Sequence, residues 1–263
     1  MNITANAITT IARQTIFRVT SLALMDPRST TASGHDTTNR SELADQTLQQ
    51  AAGAAAELLR GDRLCETELG PGERPLDQLD PSMVFERLPS SSDVLNAEYE
   101  RTFGLLVGGS CPLHETEYLD ERFTSQKSQS LADVAGYYRA FGLKPSPQQQ
   151  ERPDHVALEL EFMATLAGLE RQAAATDSED QLADRCREAQ RSFLATHLCW
   201  WLPAFTRLLE REHPDSFYTA VARLLSALMP AVRARFGIGA FHEVARPRAG
   251  SDDESCSACP LTA

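Results

Sequence analysis

The sequence predicts an all-α fold: one bundle-like domain of about eight helices over residues 1–240, followed by a polar, disordered tail over 241–263. Apolar residues recur at three- and four-residue spacing in one stretch after another. No segment alternates apolar and polar residues as a half-buried strand must. Gly, Pro and capping residues punctuate the periodic stretches at helical lengths, and no internal repeat is present.

The first helix is expected from about residue 7 to 25. Arg13 and Arg18 stand among Ile8, Ile11, Ile16, Val19 and Leu22 as in an amphipathic helix, and Asp26-Pro27 closes it. A polar loop over 29–41 leads to a second helix from Glu42 through the alanine-rich 51–56 to Leu59, with Gly61 as its stop. From 61 to 92, Gly70, Pro71, Gly72, Pro75, Pro81 and Pro89 leave room only for a helical turn near Met83–Leu88. Ser92-Asp93 opens a helix with Leu95, Tyr99, Phe103 and Leu106 on one face, ending at Gly108-Gly109. Cys111–Tyr118 then reads as a proline-led polar segment with a short turn.

Ser130 with Asp133 has the spacing of a capping box, which starts the next helix there. Leu131, Val134, Tyr138 and Phe141 form its buried stripe, and Gly142 and Pro145 stop it. The stretch Glu151–Met163 begins another helix. Pro153 suits a first helical position, and Asp154 puts negative charge where first-turn N–H groups favour it. That helix runs to about Gln172. Ser178 with Gln181 caps the following one, with Leu182, Cys186, Ala189 and Phe193 inward. A short helix follows Trp200-Trp201-Leu202-Pro203 to Glu212. Pro214 starts the last, with Phe217, Val221, Leu224, Leu225 and Leu228 inward until Pro230 interrupts it.

A net charge of −12 disfavours a phosphate-backbone partner and suits a basic peptide or plain solubility, so no nucleic acid is expected. No apolar run approaches the ~18 residues of a membrane span, so no stable membrane insertion is expected. The chain is expected in the cytoplasm with Cys65, Cys111, Cys186, Cys199, Cys256 and Cys259 as reduced thiols.

Asp154, His155, Glu159 and Glu161 fall within two turns, and imidazole with carboxylates can bind a metal or exchange protons. The plainer reading has Asp154 capping the helix, His155 bonded locally and the glutamates facing water. Glu210-x-x-His213 has di-metal spacing but lacks the second motif such sites need. Cys256-x-x-Cys259 lacks a second ligand pair, and no phosphate loop, nucleophile elbow or dinucleotide fingerprint occurs. No enzyme, metal or cofactor is expected. The competing readings are a helical metal-dependent enzyme using Glu210, His213, His155 and Glu159, and a generic helical adaptor.

Three blocks then stand in order: Tyr99-Glu100-Arg101-Thr102-Phe103; Cys111-Pro112-Leu113-His114-Glu115-Thr116-Glu117-Tyr118; and Arg152-Pro153-Asp154-His155 leading into Glu159-Leu160-Glu161-Phe162-Met163. With the helix 135–143 and His197…Trp201-Leu202-Pro203-Ala204-Phe205, they resemble the TorD/DmsD family of molybdoenzyme-specific chaperones over residues 7–235. Thr102 stands where that family usually has leucine, and Glu151 lies closer to the proline than in the common motif. The resemblance implies an all-helical protein that binds the twin-arginine signal peptide and the apo form of a molybdopterin oxidoreductase catalytic subunit. It would assist cofactor insertion and delay export, acting as a monomer or homodimer.

By the same resemblance, Asp154 and His155 match the family's hinge, Tyr99 and Phe103 its aromatic peptide groove, and Glu115 and Tyr118 the loop block. Guanidinium groups need carboxylates and an apolar segment needs aromatic walls. Asp154, Glu159 and Glu115 are expected to supply the first, and Tyr99, Phe103 and Tyr118 the second.

Overall fold

A computed structural model describes residues 3–30, 39–61, 68–104, 110–119, 124–144, 151–176, 180–242 and 245. It is all-α: α1 Ile3–Leu24, α2 Pro27–Thr30, α3 Asn39–Gly61, α4 Ser82–Glu86, α5 Ser92–Phe103, α6 Thr124–Ala140, α7 Val156–Ala174, α8 Asp180–Phe193, α9 Cys199–Glu212 and α10 Phe217–Arg235. Eight of these are longer than one or two turns, as the periodicity predicts. The described residues contain no strand, only an isolated antiparallel bridge between His114 and His155.

Helix α7 lies at the centre, packed along α1 on one side and α8 on the other, while α10 pairs with α9 and also touches α1. At Gly168 on α7 a Cβ would stand 2.7 Å from the end of the Gln14 side chain of α1, which would have to swing aside. Val156, Leu160 and Met163 are fully buried, so the apolar stripe read from the sequence faces the core.

Several boundaries differ from expectation for identifiable reasons. Helix α5 ends at Gly104, whose φ of 77° lies in the left-handed region, and its N-cap is Ser91, whose hydroxyl accepts from Val94 N–H at 3.3 Å. Leu106 and Gly108-Gly109 fall outside the described residues, as do Ser178, Cys65 and the Cys256/Cys259 pair.

Helix α6 starts at Thr124, so Ser130 and Asp133 lie inside it and are not a capping box. At α7 the cap is His155, not Asp154: its Nδ1 accepts from Ala157 N–H at 3.1 Å. Helix α10 is capped by Ser216 rather than begun by Pro214, and it continues through Pro230 to Arg235.

The amphipathic pattern of α1 is inverted in part. Arg13 is 1% exposed, bonded to Gln190 and Thr10 and lying over the Phe236 ring, whereas Ile8, Ile11 and Leu22 are exposed. Helices α8 and α9 form one rod, joined by a π turn at Leu194–Leu198. Phe241 and Ala245 pack against the core. Cys111, Cys186 and Cys199 are free and buried; burial pushes the Cys111 and Cys199 thiols up to about 11 and about 12, which makes them inert. No described helix is long and apolar enough to cross a membrane.

Candidate functional site: a buried polar hinge at the start of α7

Two short backbone segments meet at the His114–His155 bridge. Glu115 N–H donates to the Asp154 carbonyl at 3.0 Å, and Val156 N–H donates to the Leu113 carbonyl at 2.9 Å. This pairing sets the Glu115–Tyr118 turn against the first turn of α7 and brings their side chains together.

Asp154 is fully buried and saturated with donors. Arg152 grips it with a two-point fork, Nε to Oδ1 at 3.1 Å and Nη2 to Oδ2 at 2.7 Å. Thr116 adds its backbone N–H at 3.2 Å and its hydroxyl at 2.8 Å, both to Oδ2. Such charge-assisted bonds offset the cost of removing a carboxylate from water.

His155 occupies the N-cap with Nδ1 as acceptor, which places the ring proton on Nε2. Burial, and then the neighbouring charge of His114, push its pKa down to about 3, so the imidazole is neutral at ordinary pH.

One turn on, Glu159 is also fully buried. Its Oε2 accepts from Trp201 Nε1 at 3.3 Å, and Oε1 has no hydrogen bond among the described residues. Burial, reinforced by Glu115 and Asp154, holds its pKa well above the usual carboxylate range and favours the neutral acid.

Glu115 is the third interior carboxylate, and helix α9, the π turn and α6 all converge on it. Trp200 Nε1 donates to it at 2.9 Å, Ser130 donates at 3.1 Å, and His197 Nδ1 lies 3.1 Å from both oxygens. The far nitrogen of His197 is 3.2 Å from Asp133. Ser130 and Asp133, the pair with capping-box spacing, are thus two of the tethers that bind α6 to this site. Tyr138, also on α6, donates to the Pro153 carbonyl at 2.8 Å.

The aromatic residues expected in a groove are 4–5% exposed. Tyr99 and Phe103 stack edge-on at 4.9 Å and both meet the Tyr218 ring, while Tyr118 lies against Trp201 at 5.1 Å and donates to the Pro112 carbonyl. All seven residues singled out from the sequence, Tyr99, Phe103, Glu115, Tyr118, Asp154, His155 and Glu159, are therefore walls of the interior. Asp154, His155, Glu159 and Glu115 form one polar cluster, and the aromatic residues lie beside it.

Above them lies a second polar layer, in which Arg152 is the most exposed side chain. Glu117, His114 and Arg152 lie over Asp154, with Arg152 Nη1 3.7 Å and His114 Nδ1 3.2 Å from Glu117 Oε1. Asp26, Arg28 and Glu100 form an ion-paired group beside Tyr99. Burial works against the Asp26 charge, but the Arg28 guanidinium still holds that carboxyl below its usual range.

His114, Glu151 and His155 bring possible metal ligands within 4.8 Å of one another. The capping bond, however, leaves His155 Nε2 carrying the proton, so that nitrogen has no lone pair for a metal while the cap holds. The other metal set read from the sequence does not assemble. Glu210 pairs with Arg74 and Arg223, while His213 sits at the C-cap of α9, its Nε2 without a hydrogen bond among the described residues, and Glu159 is bound to Trp201 instead. Glu161 is half-buried and pairs with Arg18.

Sequence reasoning missed Arg152, Thr116, Glu117, His197 and Trp200 as members of this cluster. One usable signal was the Trp-Trp pair in an apolar helix, since a buried indole N–H requires an acceptor.

A model of the nitrate reductase delta subunit family matches residues 71–207, a span that holds the whole hinge but not α10. The chain is 34% identical over 160 residues to the selenate reductase assembly chaperone protein of Thauera selenatis, covering 60% of this chain and 75% of that one. It is 33% identical over 146 residues to the chlorate reductase assembly chaperone protein of Ideonella dechloratans, covering 55% and 72%. The chaperone protein TorD of Vibrio cholerae is 32% identical over 113 residues, covering 43% and 48%.

Proposed function

The chain belongs to the TorD-like, nitrate reductase delta subunit family, and from that membership we propose that it is an assembly chaperone for a molybdopterin-containing oxidoreductase. It acts in the cytoplasm, without catalysis of its own, on the apo form of the client's catalytic subunit. It binds the client's twin-arginine signal peptide, delays export and assists cofactor insertion.

The observation that supports this reading is the hinge itself, an arginine-accepting carboxylate cluster built beside aromatic walls inside the family-matched span. Asp154 accepts the planar guanidinium of the chain's own Arg152 at two points, the geometry by which a protein distinguishes arginine from lysine. Glu115, Asp154, His155 and Glu159 set the floor of the peptide site, and Tyr99, Phe103 and Tyr118 its aromatic side. The net charge of −12 accelerates encounter with a basic peptide.

Calorimetric titration with a synthetic twin-arginine peptide tests the proposal. Saturable binding is expected, with loss of affinity in the Asp154→Ala, His155→Ala double variant that circular dichroism shows to be folded. Unchanged affinity in that variant would remove the site from the hinge, and no binding to the wild-type protein would remove signal-peptide recognition altogether.

A further inference from the structure

We propose that Asp154, Thr116 and Glu117 form a guanidinium-binding pocket whose resident is the chain's own Arg152, an internal stand-in for an arginine of the client peptide. The inference rests on the proposed function and deepens it, since it identifies the pocket and what fills it before the peptide arrives.

Asp154 is 0% exposed and Arg152 is 36% exposed at its side chain, so the guanidinium closes the pocket from the solvent side like a plug. The acceptor keeps backbone contacts that do not involve its occupant: Thr116 N–H donates to Asp154 Oδ2, and Glu115 N–H holds the Asp154 carbonyl. The Thr116 hydroxyl also donates to Oδ2 and in turn accepts from Arg152 Nη2. The backbone of Arg152 is likewise held apart from its side chain, because its carbonyl accepts from His155 N–H at 3.1 Å. Rotation of one side chain therefore opens the pocket without moving the bridge or the helix cap.

The resident does not fill the pocket's capacity. Glu117 Oε1 is buried without a hydrogen bond among the described residues: His114 Nδ1 lies 3.2 Å from it, and Arg152 Nη1 stops at 3.7 Å. Arg152 reaches an acceptor only two residues away along its own chain, which constrains its approach. A guanidinium entering from outside has no such tether and has five N–H groups to bridge Asp154 and Glu117 together. An ammonium, as a point charge, cannot reproduce the fork. An occupied pocket lowers the apparent affinity for the incoming arginine in proportion to how seldom it is open.

The experiment compares wild-type protein with Arg152→Ala and Arg152→Lys, using a twin-arginine peptide and its lysine-lysine counterpart in calorimetry. Melting temperatures are measured in parallel with millimolar methylguanidinium or methylammonium chloride at equal ionic strength. Arg152→Ala should bind the arginine peptide about tenfold more tightly than wild type. The gain should vanish with the lysine peptide, and Arg152→Lys should show a smaller gain in the same direction if the alanine variant fails to fold. Methylguanidinium should raise the melting temperature of the variant more than methylammonium does, with no such difference in wild type.

Equal or weaker peptide binding by folded Arg152 variants, or no preference for methylguanidinium, overturns the stand-in while leaving signal-peptide recognition intact. A methylguanidinium preference with no peptide bound by any form supports the pocket and overturns the proposed function.

Discussion

Helix α10 and the first turn of α7 are buried to a similar degree, yet different forces hold them. Sixteen of the nineteen residues of α10 are buried, and most are aliphatic side chains whose attraction is non-directional. At the start of α7, Asp154, His155 and Glu159 are equally dry, but each depends on one or two oriented partners. Loss of a methylene group in α10 leaves a void. Loss of a partner at the hinge leaves a buried polar group unpaired, and the family match covers the hinge rather than α10.

That contrast can be broken from either side. The largest effect is expected at Leu225, fully buried in α10: Leu225→Ala should cost about 2–5 kcal/mol in urea unfolding, with peptide affinity per folded molecule unchanged. A loss of affinity in the folded variant would mean that α10 takes part in the site.

His155 comes next. Its folded pKa of about 3 lies below the 6.5 of a free imidazole, so the unfolded chain binds the extra proton and stability falls as pH drops below 6.5. At pH 5 this amounts to about 2 kcal/mol relative to neutral pH. His155→Asn keeps a capping oxygen and removes the titration, so unfolding curves should show a smaller loss from pH 7 to pH 5. An unchanged pH slope would mean that His155 titrates normally.

Glu159 has the opposite sign. Its folded pKa is raised, so the folded state keeps a proton that the unfolded chain releases above 4.5, and stability is lost as pH rises. Glu159→Gln should therefore gain on wild type with increasing pH above 4.5, by at most about 1.4 kcal/mol per pH unit. A parallel pair of pH profiles would show that Glu159 ionises freely inside the protein.

The smallest change is Tyr138→Phe, which deletes the bond to the Pro153 carbonyl and should cost about 1 kcal/mol by the same measurement. No change at all would mean that α6 does not steady the turn before α7.

The two regions also differed in how readable they were. In α10 periodicity alone picks out Phe217, Val221, Leu224, Leu225 and Leu228, which repeat at helical spacing and are all buried, although the helix is also buried on its other faces. The hinge offered no comparable signal. Ser130 and Asp133 have cap spacing but serve Glu115 and His197 across the fold, because long-range partners leave no local signature. Arg13 reads as the polar face of α1 and is buried on Glu170 and Gln190, the latter 177 positions away, a pairing that no short window contains. The resemblance named Asp154 and His155 as a hinge, yet the assignment of the helix cap to His155 required coordinates.

The bridge between His114 and His155 also acts as a clasp. Thr116 and Asp154 stand 38 positions apart, so everything between them, including α6, is an excursion whose two ends are already fastened. The entropy of closing such an excursion grows only logarithmically with its length, at about 0.6 kcal/mol for each doubling. A change of length in the connections on either side of α6 therefore costs little in closure, while the bonds from Ser130, Asp133 and Tyr138 keep α6 itself on the floor.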